Sequence, residues 1–501
     1  MGNISARTAA SKYRTKSDPS RSTCSEICSA LTIFRFKKEL NSQTSYPFRS
    51  ASTLIVDLVL TNAKAYLKKE IVDCSIAIED GNIHKVGREA QMPNSDERIN
   101  LRNLLILPGL IDVHVHLRDE GKAYKEDFYS GTAAAAAGGF TTVLDMPNNE
   151  PVTMGVESLK NRMHTAERKV LVSVGFRSEF PVNLNQISAI TAQGAVGFKL
   201  FMANQVGGLD INDDAALHEA LKKIGEADVP VAVHAEDNQT ICMNERALKE
   251  TKRDGPAAFL KAHPEEAEVT AIQRILDAIV DTKARVHFCH LTSQKSLALV
   301  GEAKKENRNT TCEVTPNHLL LTRLDYDRQG TRLAMLPPLR TSTDGEALWK
   351  GIAEGSVDIV ASDHAPHTLE EKSAASIWDV KVGVPGLETT LPLMLTMIKK
   401  GRVTIDELVR LLAEKPAEIF SLKDRGRLEQ GFRADLVAVN HKETYLVDAS
   451  KFHSKAKFSP FDSWEVQGKP VKTFVNGHLT MDEGEIVAKP GSGSVIRRDV
   501  K

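Results

Sequence analysis

The sequence has little of what disulfide-rich, membrane-spanning or nucleic-acid-binding proteins need. Its 501 residues include six cysteines, and no secretory signal accompanies them, so reduced thiols in a cytosol or organelle matrix are expected. No apolar run approaches the roughly 18–20 residues that cross a bilayer. Lys+Arg (65) nearly equals Asp+Glu (66), which excludes a global basic footprint for nucleic acid. These absences, with 41% hydrophobic and 26% charged residues, predict a globular cytoplasmic protein.

The near-zero net charge hides an unlike N-terminal segment. Residues 1–50 contain nine basic and three acidic residues, a net charge of +6, which leaves -7 for residues 51–501. The segment also contains ten serines and no sustained apolar period, so we predict a mostly disordered arm over residues 1–52. Its composition suits an organelle transit peptide, and equally an extended translation start. Cys24 and Cys28 could bind a metal, although no second ligand pair lies nearby.

Two β-rich ends flank a different middle part. Residues 54–88 alternate apolar and polar side chains, and Asp80-Gly81 lies between the two halves of a predicted hairpin. Residues 426–440 and 471–487 repeat this pattern with Asn-Gly and Glu-Gly turns. We therefore predict one small discontinuous β-sandwich domain built from residues 53–107 and 425–490, followed by a tail at 491–501.

The middle part, residues 108–424, alternates short apolar runs with helical segments. Eight runs are candidate strands, at 110–116, 141–145, 170–176, 196–201, 229–234, 285–290, 310–314 and 357–362. Helical patterns such as 213–227, 264–279 and 293–306 lie between them. Eight β/α units predict an α/β fold, namely a (β/α)8 TIM barrel. In that fold the chemistry lies at the carboxyl ends of the strands, which is where ligands should be sought.

Histidines and one aspartate occupy several of those strand ends. His114 and His116 alternate on the first strand, so they point to the same side. The fifth strand ends at His234, the sixth at His290, and the eighth runs into Asp363. A single His-x-His pair could be two half-buried histidines bonded to neighbours. Four coincident strand ends instead predict a metal site, because imidazole nitrogens and carboxylate oxygens are ligands that zinc accepts.

A lysine lies among apolar residues near the end of the predicted fourth strand. Lys199 could extend its amine towards solvent or form an ion pair. Desolvation would also lower its pKa, and a neutral amine can add CO2 to become a carbamate. A carbamate is a bidentate anion that can bridge two divalent ions, whereas histidine ligands supply no negative charge. Lys199 is therefore a candidate bridging ligand.

Together these motifs resemble the amidohydrolase superfamily and, more narrowly, the class I dihydroorotases. The motifs are DVHVHLR at 112–118, the strand-four lysine, HAE at 234–236, Cys-His at 289–290 and ASDHAPHTLEEK at 361–372. The resemblance covers about residues 54–490. It implies a TIM barrel with a small β-domain. It also implies zinc-dependent, reversible hydrolysis of (S)-dihydroorotate to N-carbamoyl-L-aspartate, a step of de novo pyrimidine biosynthesis.

The resemblance further implies a role for each site residue. His114 and His116 would bind one Zn²⁺, His234 and His290 the second, and carbamylated Lys199 would bridge the two. Asp363 would also bind the first metal and, as the catalytic residue, handle the proton. The residues matching the substrate contacts of the family are His116, Arg118, Asn148, His367, Val382 and Gly383. Arg118, Asn148 and His367 would grip the substrate carboxylate, and the backbone at Val382 and Gly383 would contact its ring.

Three positions leave alternatives open. Arg118 could instead pair with Asp119 or Glu120 in its own loop. Many dihydroorotases carry a substrate-contacting Asn where this chain has Leu336, so that contact must be lost or replaced. Cys289 and Glu313 match positions that hold a third zinc in the animal domain, although a buried thiol beside a structural carboxylate would look the same.

Other functions compete with this interpretation. Allantoinase and other cyclic amidohydrolases such as hydantoinase share the metal ligands, but allantoin has no carboxylate for Arg118, Asn148 and His367 to bind. A non-enzyme alternative is a metal-free scaffold with the same barrel, which the filled ligand positions argue against. The expected partners are a small-molecule substrate and further copies of the chain in a homo-oligomer. Some relatives dock with aspartate carbamoyltransferase, whereas no nucleic acid or membrane is expected as a partner.

Overall fold

Five strands open the part of the chain that the structure describes. The computed structural model describes residues 55–498, so the predicted arm at 1–52, with Cys24 and Cys28, lies outside it. The strands are β1 (Ile55–Leu67), β2 (Glu70–Glu79), β3 (Asn82–Gly87), β4 (Asn94–Asn100) and β5 (Leu105–Pro108). Strands β2 and β3 form the predicted hairpin. Asp80 and Gly81 connect them with φ angles of 50° and 73°, as a two-residue hairpin turn requires.

The middle part forms a parallel barrel. Its strands are β6 (Leu110–Val115), β7 (Phe140–Asp145), β8 (Ser173–Glu179), β9 (Gly197–Phe201), β10 (Pro230–His234), β11 (Arg285–Phe288), β12 (Thr310–Val314) and β13 (Ile359–Val360). They follow one another in sequence order. The barrel closes between its last and first strands, where His364 bridges Val115 and the His116 N–H donates to the His364 carbonyl over 2.9 Å. The predicted TIM barrel is thus confirmed.

Helices connect the barrel strands and cover the barrel. They are α1 (Phe128–Ala137), α2 (Val156–Glu167), α3 (Ile187–Ala192), α4 (Asp214–Glu226), α5 (Asn238–Glu250), α6 (Pro256–Ala262), α7 (Glu265–Ala278), α8 (Gln294–Lys305), α9 (Pro316–Leu320), α10 (Tyr326–Gln329), α11 (Ser342–Glu354), α12 (Leu369–Lys372), α13 (Leu387–Lys399), α14 (Ile405–Val409) and α15 (Lys415–Ile419). Side-chain caps begin several of them, such as Asp213 before α4 and Ser293 before α8. No helix within residues 55–498 combines the length and apolarity needed to cross a bilayer.

The two ends of the described chain share one sheet. After the barrel come β14 (Leu436–Leu446), β15 (Glu465–Val475), β16 (His478–Asp482) and β17 (Glu485–Ile486). Strand β14 pairs antiparallel with β5, and β5 pairs parallel with β1. The resulting nine-stranded sheet contains β1–β5 and β14–β17. The prediction that both β-rich ends build one small domain is confirmed.

One barrel strand lies further along the chain than predicted. The apolar pattern placed the third strand at 170–176, but β8 runs from Ser173 to Glu179. The shift has two causes. The Val170 carbonyl accepts hydrogen bonds from Gly491 and Gly493 of the C-terminal tail, and the polar residues Arg177 and Glu179 are buried strand residues. The tail also adds a short strand, β18 (Val495–Ile496), parallel to β8, where the sequence pattern predicted no element.

Several barrel strands contain polar residues although these strands are completely buried. Every residue of β6 through β10 is buried, as expected for parallel strands covered on both faces. A polar side chain inside such a strand needs a partner, since an unpaired buried polar group is costly. The buried histidines, lysine and carboxylates of these strands therefore mark the candidate site.

Candidate metal centre and active site

The structure brings the predicted metal ligands together at the carboxyl end of the barrel. Asp363 Oδ1 lies 3.2 Å from His114 Nε2 and 3.4 Å from His116 Nε2. His234 Nδ1 lies 3.1 Å from His290 Nε2. The imidazole centroids of His114 and His290 are 5.2 Å apart, which joins the two groups. Ligand atoms of His114, His290 and Asp363 lie within 4.8 Å of one another, as a shared metal site requires.

Hydrogen bonds on the outer nitrogens orient three of these imidazoles. His114 Nδ1 contacts Glu313 Oε1, His116 Nδ1 lies 2.7 Å from Asn148 Oδ1, and His234 Nε2 lies 2.8 Å from Glu236 Oε2. Each partner is an acceptor, so it assigns the proton to the outer nitrogen. The lone pair of the inner nitrogen is then left facing the centre, which is the arrangement that metal-binding histidines use. The residues present therefore fit divalent metal ions.

Burial keeps the imidazoles of His114, His116 and His290 uncharged. Burial lowers the pKa of His114 to about 4. Burial also lowers the pKa values of His116 and His290 well below their usual range, and the charge of Lys199 adds to the shift in all three. Neutral imidazoles keep a free lone pair at neutral pH, which metal binding requires.

Lys199 lies inside the barrel at the level of the histidines. It is fully buried on β9, its Nζ is 3.1 Å from Cys289 Sγ and its ammonium lies 4.9 Å from the ring centroid of Phe201. It thus does not reach solvent, and no ion pair involving it occurs among the described residues. These contacts contradict both alternative interpretations of Lys199, as a solvent-seeking side chain or as a member of an ion pair.

Backbone strain occurs at three candidate site residues. Arg118, His290 and Asp363 have φ angles of 62°, 33° and 46°, in the left-handed region that few residues other than glycine adopt. Such conformations cost on the order of 1–3 kcal/mol each and persist where the surrounding structure fixes them. Asp363 is also the least buried of the carboxylate and histidine ligands, with 16% of its side chain exposed. Its carboxylate can therefore meet a substrate that enters from the barrel mouth.

Three of the predicted substrate-binding residues surround the metal ligands. Arg118 Nη2 lies 3.2 Å from His367 Nε2, and Arg118 Nε is buried with no hydrogen-bond partner among the described residues. Asn148 Oδ1 accepts a hydrogen bond from His116 Nδ1, which leaves the amide N–H groups of Asn148 available for another acceptor. The alternative of a local ion pair for Arg118 is wrong, because Asp119 pairs with Lys169 and Glu120 accepts from Thr165.

The backbone at Val382 and Gly383 lies against the Asp363 loop. His364 bridges the neighbouring Val384, whose carbonyl accepts from the Ala365 N–H over 2.9 Å. A Cβ on Gly383 would lie 2.6 Å from the Ala365 carbonyl oxygen, so this close approach needs glycine. The Gly383 N–H donates to Ala334, two residues before Leu336, over 2.9 Å. The 382–383 backbone and the loop that carries Leu336 are thus hydrogen-bonded to each other.

Cys289 and Glu313 lie beneath His114. Ligand atoms of these three residues lie within 4.8 Å of one another, which is compatible with a further metal. Both Glu313 oxygens are nevertheless engaged, one by His114 Nδ1 and the other by His287 Nε2 over 3.0 Å. Burial raises the pKa of the Glu313 carboxyl, but His114 and His287 outweigh burial and hold this pKa well below its usual range. Glu313 is therefore a charged acceptor. Burial raises the pKa of the Cys289 thiol to about 12.

Several site residues were not found by sequence reasoning. Glu236 contacts both His234 and, over 3.1 Å, His263, and these two histidines lower its pKa against the effect of burial. Glu371 accepts from His367 Nδ1 over 3.1 Å and from Lys125 over 2.8 Å. Glu236 follows His234 by two residues in the HAE motif, and Glu371 follows His367 by four residues in the Glu-Glu-Lys triplet. An acidic residue this close to a candidate histidine was the sequence signal that could have identified both.

Comparison with known proteins assigns the chain to a protein family. The amidohydrolase family matches residues 105–480, about three quarters of the chain. The chain belongs to this family.

Among its curated relatives are archaeal proteins named dihydroorotase. That of Methanothermobacter thermautotrophicus is 37% identical over 422 residues, which cover 84% of this chain and 94% of the relative. That of Pyrococcus furiosus is 37% identical over 447 residues, covering 88% and 96%. Among solved structures, an L-hydantoinase (dihydropyrimidinase) from Arthrobacter aurescens superposes with a TM-score of 0.85 at 30% identity, covering 88% of this chain and all of that one.

Proposed function

We propose that the chain hydrolyses dihydroorotate reversibly to N-carbamoyl-L-aspartate. The observation that carries this proposal is the buried Nε of Arg118, which has no hydrogen-bond partner within residues 55–498 and lies beside the candidate metal ligands. Asp363 Oδ1 lies 3.4 Å from His116 Nε2, and Arg118 follows His116 by two residues, so we expect both groups to act on one small molecule. A buried guanidinium with a free N–H suits a planar carboxylate. Dihydroorotate carries a cyclic amide and a carboxylate, whereas hydantoin and allantoin carry no carboxylate.

Two Zn²⁺ ions per chain are part of the proposal. His114, His116 and Asp363 would hold one ion, His234 and His290 the other, and a carbamate on Lys199 would link them. Bound divalent ions supply a nucleophilic water near neutral pH and polarise an amide carbonyl. The described hydrogen bonds support the ligand set, since Glu313, Asn148 and Glu236 leave the inner imidazole nitrogens free. Replacement of Lys199 is the direct test of the bridge.

The protein residues would orient the substrate and move the proton. Arg118, Asn148 and His367 would bind the carboxylate, and the 382–383 backbone would contact the ring. Asp363 would accept the proton of the attacking water on its carboxylate and deliver it to the amide nitrogen as the C–N bond breaks. The carbonyl carbon then becomes a carboxyl group, which releases its proton to solvent, and the nitrogen remains in the carbamoyl group. The same steps in reverse close the ring.

The neighbouring positive charges favour an anionic substrate over a neutral one. Lys122 donates to the Asn148 carbonyl over 3.0 Å, and Lys125 lies 3.2 Å from His367 Nδ1. Burial, followed by the charges of Arg118 and Lys125, lowers the pKa of His367 to about 2, so it stays neutral at any working pH. A neutral His367 has one N–H, which it donates from Nδ1 to Glu371, so its Nε2 can accept from Arg118. His367 would therefore act on the substrate carboxylate by orienting the Arg118 guanidinium.

A steady-state assay with metal quantification tests the proposal. We expect turnover of dihydroorotate and of N-carbamoyl-L-aspartate, little or none of hydantoin and allantoin, and about two zinc ions per chain. Asp363→Asn should abolish turnover, since an amide cannot accept the proton. Turnover of allantoin or hydantoin alone would instead assign a different cyclic amidohydrolase activity, and a protein that binds no zinc with bicarbonate present would favour the scaffold alternative.

Assembly is a separate part of the proposal. We infer from the family resemblance that the chain forms a homo-oligomer and that aspartate carbamoyltransferase is the partner enzyme to test first. Light scattering after size-exclusion chromatography measures the first, and co-elution with purified aspartate carbamoyltransferase measures the second. A monomer that elutes alone at all protein concentrations would contradict both.

A further inference from the structure

Lys372 is the last residue of α12, the single helical turn that follows His367. Its side chain is fully buried, although lysine is almost never buried without a partner. Its Nζ donates to three backbone carbonyls, those of Ala334 over 2.7 Å, Lys381 over 3.0 Å and Gly383 over 3.0 Å. An ammonium has three N–H donors and no acceptor, so three carbonyls satisfy it fully.

These three carbonyls belong to two loops: that of Val382 and Gly383, whose backbone is predicted to contact the substrate ring, and that of Leu336, where many dihydroorotases carry a substrate-contacting Asn. Ala334 lies two residues before Leu336, and Lys381 and Gly383 flank Val382. Leu336 has no polar side-chain atom, so polar recognition by its loop falls to backbone groups. The positions of these backbone groups depend on how firmly the rest of the protein fixes their loop. The Gly383 N–H also donates to the Ala334 carbonyl, which therefore accepts both from the backbone of one loop and from Lys372.

The turn that carries Lys372 also fixes the carboxylate-binding residues. The preceding Glu371 accepts from His367 Nδ1 and from Lys125. Thr368 and Glu371 form a capping box that holds this turn. Adjacent side chains of one helical turn thus reach both halves of the substrate pocket, Glu371 the carboxylate side and Lys372 the ring side.

Burial of an ammonium is costly unless the acceptors are well placed. Burial lowers the pKa of Lys372 from its usual range, and the negative charge of Glu371 opposes that shift. Hydrogen bonds from a charged donor are about twice as strong as neutral ones, so three of them can offset that cost. A methionine would fill the same space with no such cost, but it would make none of the three hydrogen bonds to the loops, which would leave the bond from the Gly383 N–H to the Ala334 carbonyl without this support.

We propose that Lys372 is a positioning residue for substrate recognition, an ammonium clamp that sets the distance between the 334–336 and 381–383 loops. The inference rests on the proposed function, because the substrate contact of the 382–383 backbone belongs to it. Lys372 touches neither the metal ligands nor the reacting atoms. Its loss should therefore weaken substrate binding much more than it slows the chemical step.

Lys372→Met is the first test. We expect its KM for dihydroorotate to rise about tenfold or more while kcat stays within about threefold and zinc content is unchanged, since the lost contacts concern binding. Lys350→Met is the matched control, because Lys350 lies on α11 with 73% of its side chain exposed. A KM within twofold of the wild type would overturn the proposal. A fall in kcat as large as the rise in KM would also overturn it. Should Lys372→Met not fold, Lys372→Arg, which keeps the charge but not the fit, should show the raised KM.

Chemical rescue separates the clamp from a packing role. Lys372→Ala leaves the space of the missing side chain, and n-propylammonium can supply three N–H donors there. We expect n-propylammonium to lower the raised KM and tetramethylammonium, which has charge but no N–H donor, to have no effect. Rescue by both cations, or by n-propanol equally, would overturn the clamp.

Hydrogen exchange keeps this inference separable from the proposed function. In Lys372→Met the amides of residues 334–336 and 381–385 should exchange faster than in the wild type, whatever the substrate. If the wild type fails to turn over dihydroorotate but exchange rises, the proposed function is wrong and the clamp between the loops stands. Unchanged exchange in these loops overturns the clamp even where dihydroorotate is the substrate.

Discussion

His116 donates from Nδ1 to Asn148 Oδ1 over 2.7 Å, so one amide side chain serves two purposes. Its oxygen orients a candidate metal ligand, and its N–H groups remain for the substrate. Under the proposed function, metal binding and substrate binding would therefore be coupled through Asn148, and two substitutions of this residue would separate them.

Asn148→Asp should keep the metal and lose the substrate. The carboxylate still accepts from His116 Nδ1, but it puts an anion where the substrate carboxylate must bind, so KM should rise by at least about tenfold with zinc content unchanged. Asn148→Ala loses the acceptor as well, and its zinc affinity should fall about 10–100-fold. Zinc titration and steady-state kinetics on both variants check this; an equal loss of zinc in both would refute the coupling.

Arg118→Lys should weaken substrate binding with no effect on zinc. A lysine keeps the charge but loses the planar pair of N–H groups, and the lost charge-assisted hydrogen bonds correspond to about 1.5–3 kcal/mol. We expect KM for dihydroorotate to rise roughly 10–100-fold. Arg402→Lys, at an exposed ion pair with Glu346, is the control and should match the wild type. An unchanged KM in Arg118→Lys would remove this residue from the substrate site.

Lys199→Ala should abolish activity and reduce zinc content, because the bridging negative charge is lost. Acetate or propionate should partly restore both by occupying the empty space. After incubation with ¹³C-bicarbonate, NMR should show one carbamate resonance in the wild type and in the exposed-lysine control Lys222→Ala, but none in Lys199→Ala. A Lys199→Ala enzyme with full activity would exclude the carbamate bridge.

Cys289→Ser should leave the zinc count at about two per chain. The reason is that both oxygens of Glu313 are held by His114 and His287, which leaves them poorly placed for a third ion. Glu313→Ala, in contrast, should lower zinc affinity about 10–100-fold, because it frees His114. Three ions in the wild type that fall to two in Cys289→Ser would show that Cys289 is a ligand.

The convergence of the candidate ligands was predictable from sequence because the barrel topology places them at one rim. Parallel strands end at the same rim, so residues as distant in sequence as His114 and Asp363 must meet once eight β/α units are recognised. The alternation of His114 and His116 then fixes their shared side. No tertiary contact is needed for this argument, which explains why the structure confirms the convergence of all four strand ends.

Partners that join distant segments were not predictable in the same way. Lys372 looks like an ordinary surface lysine in sequence, and only the fold brings Ala334 and Gly383 around it. Strand β8 was misplaced for a related reason. Its last residues, including Arg177 and Glu179, are polar yet buried, and an apolar pattern ends where the interior of the barrel becomes polar.

The pairing of β5 with β14 has a consequence for how the chain folds. Leu107 aligns with Val437, so closing this pair joins segments about 330 residues apart and costs roughly 5 kcal/mol of chain entropy. During synthesis at about 5–20 residues per second, β5 waits about 15–65 s for its neighbour. The barrel in between can form during that time, and each new β/α unit shortens the effective gap. We therefore expect the N-terminal strands to become protected from proteolysis late, only after β14 has emerged from the ribosome.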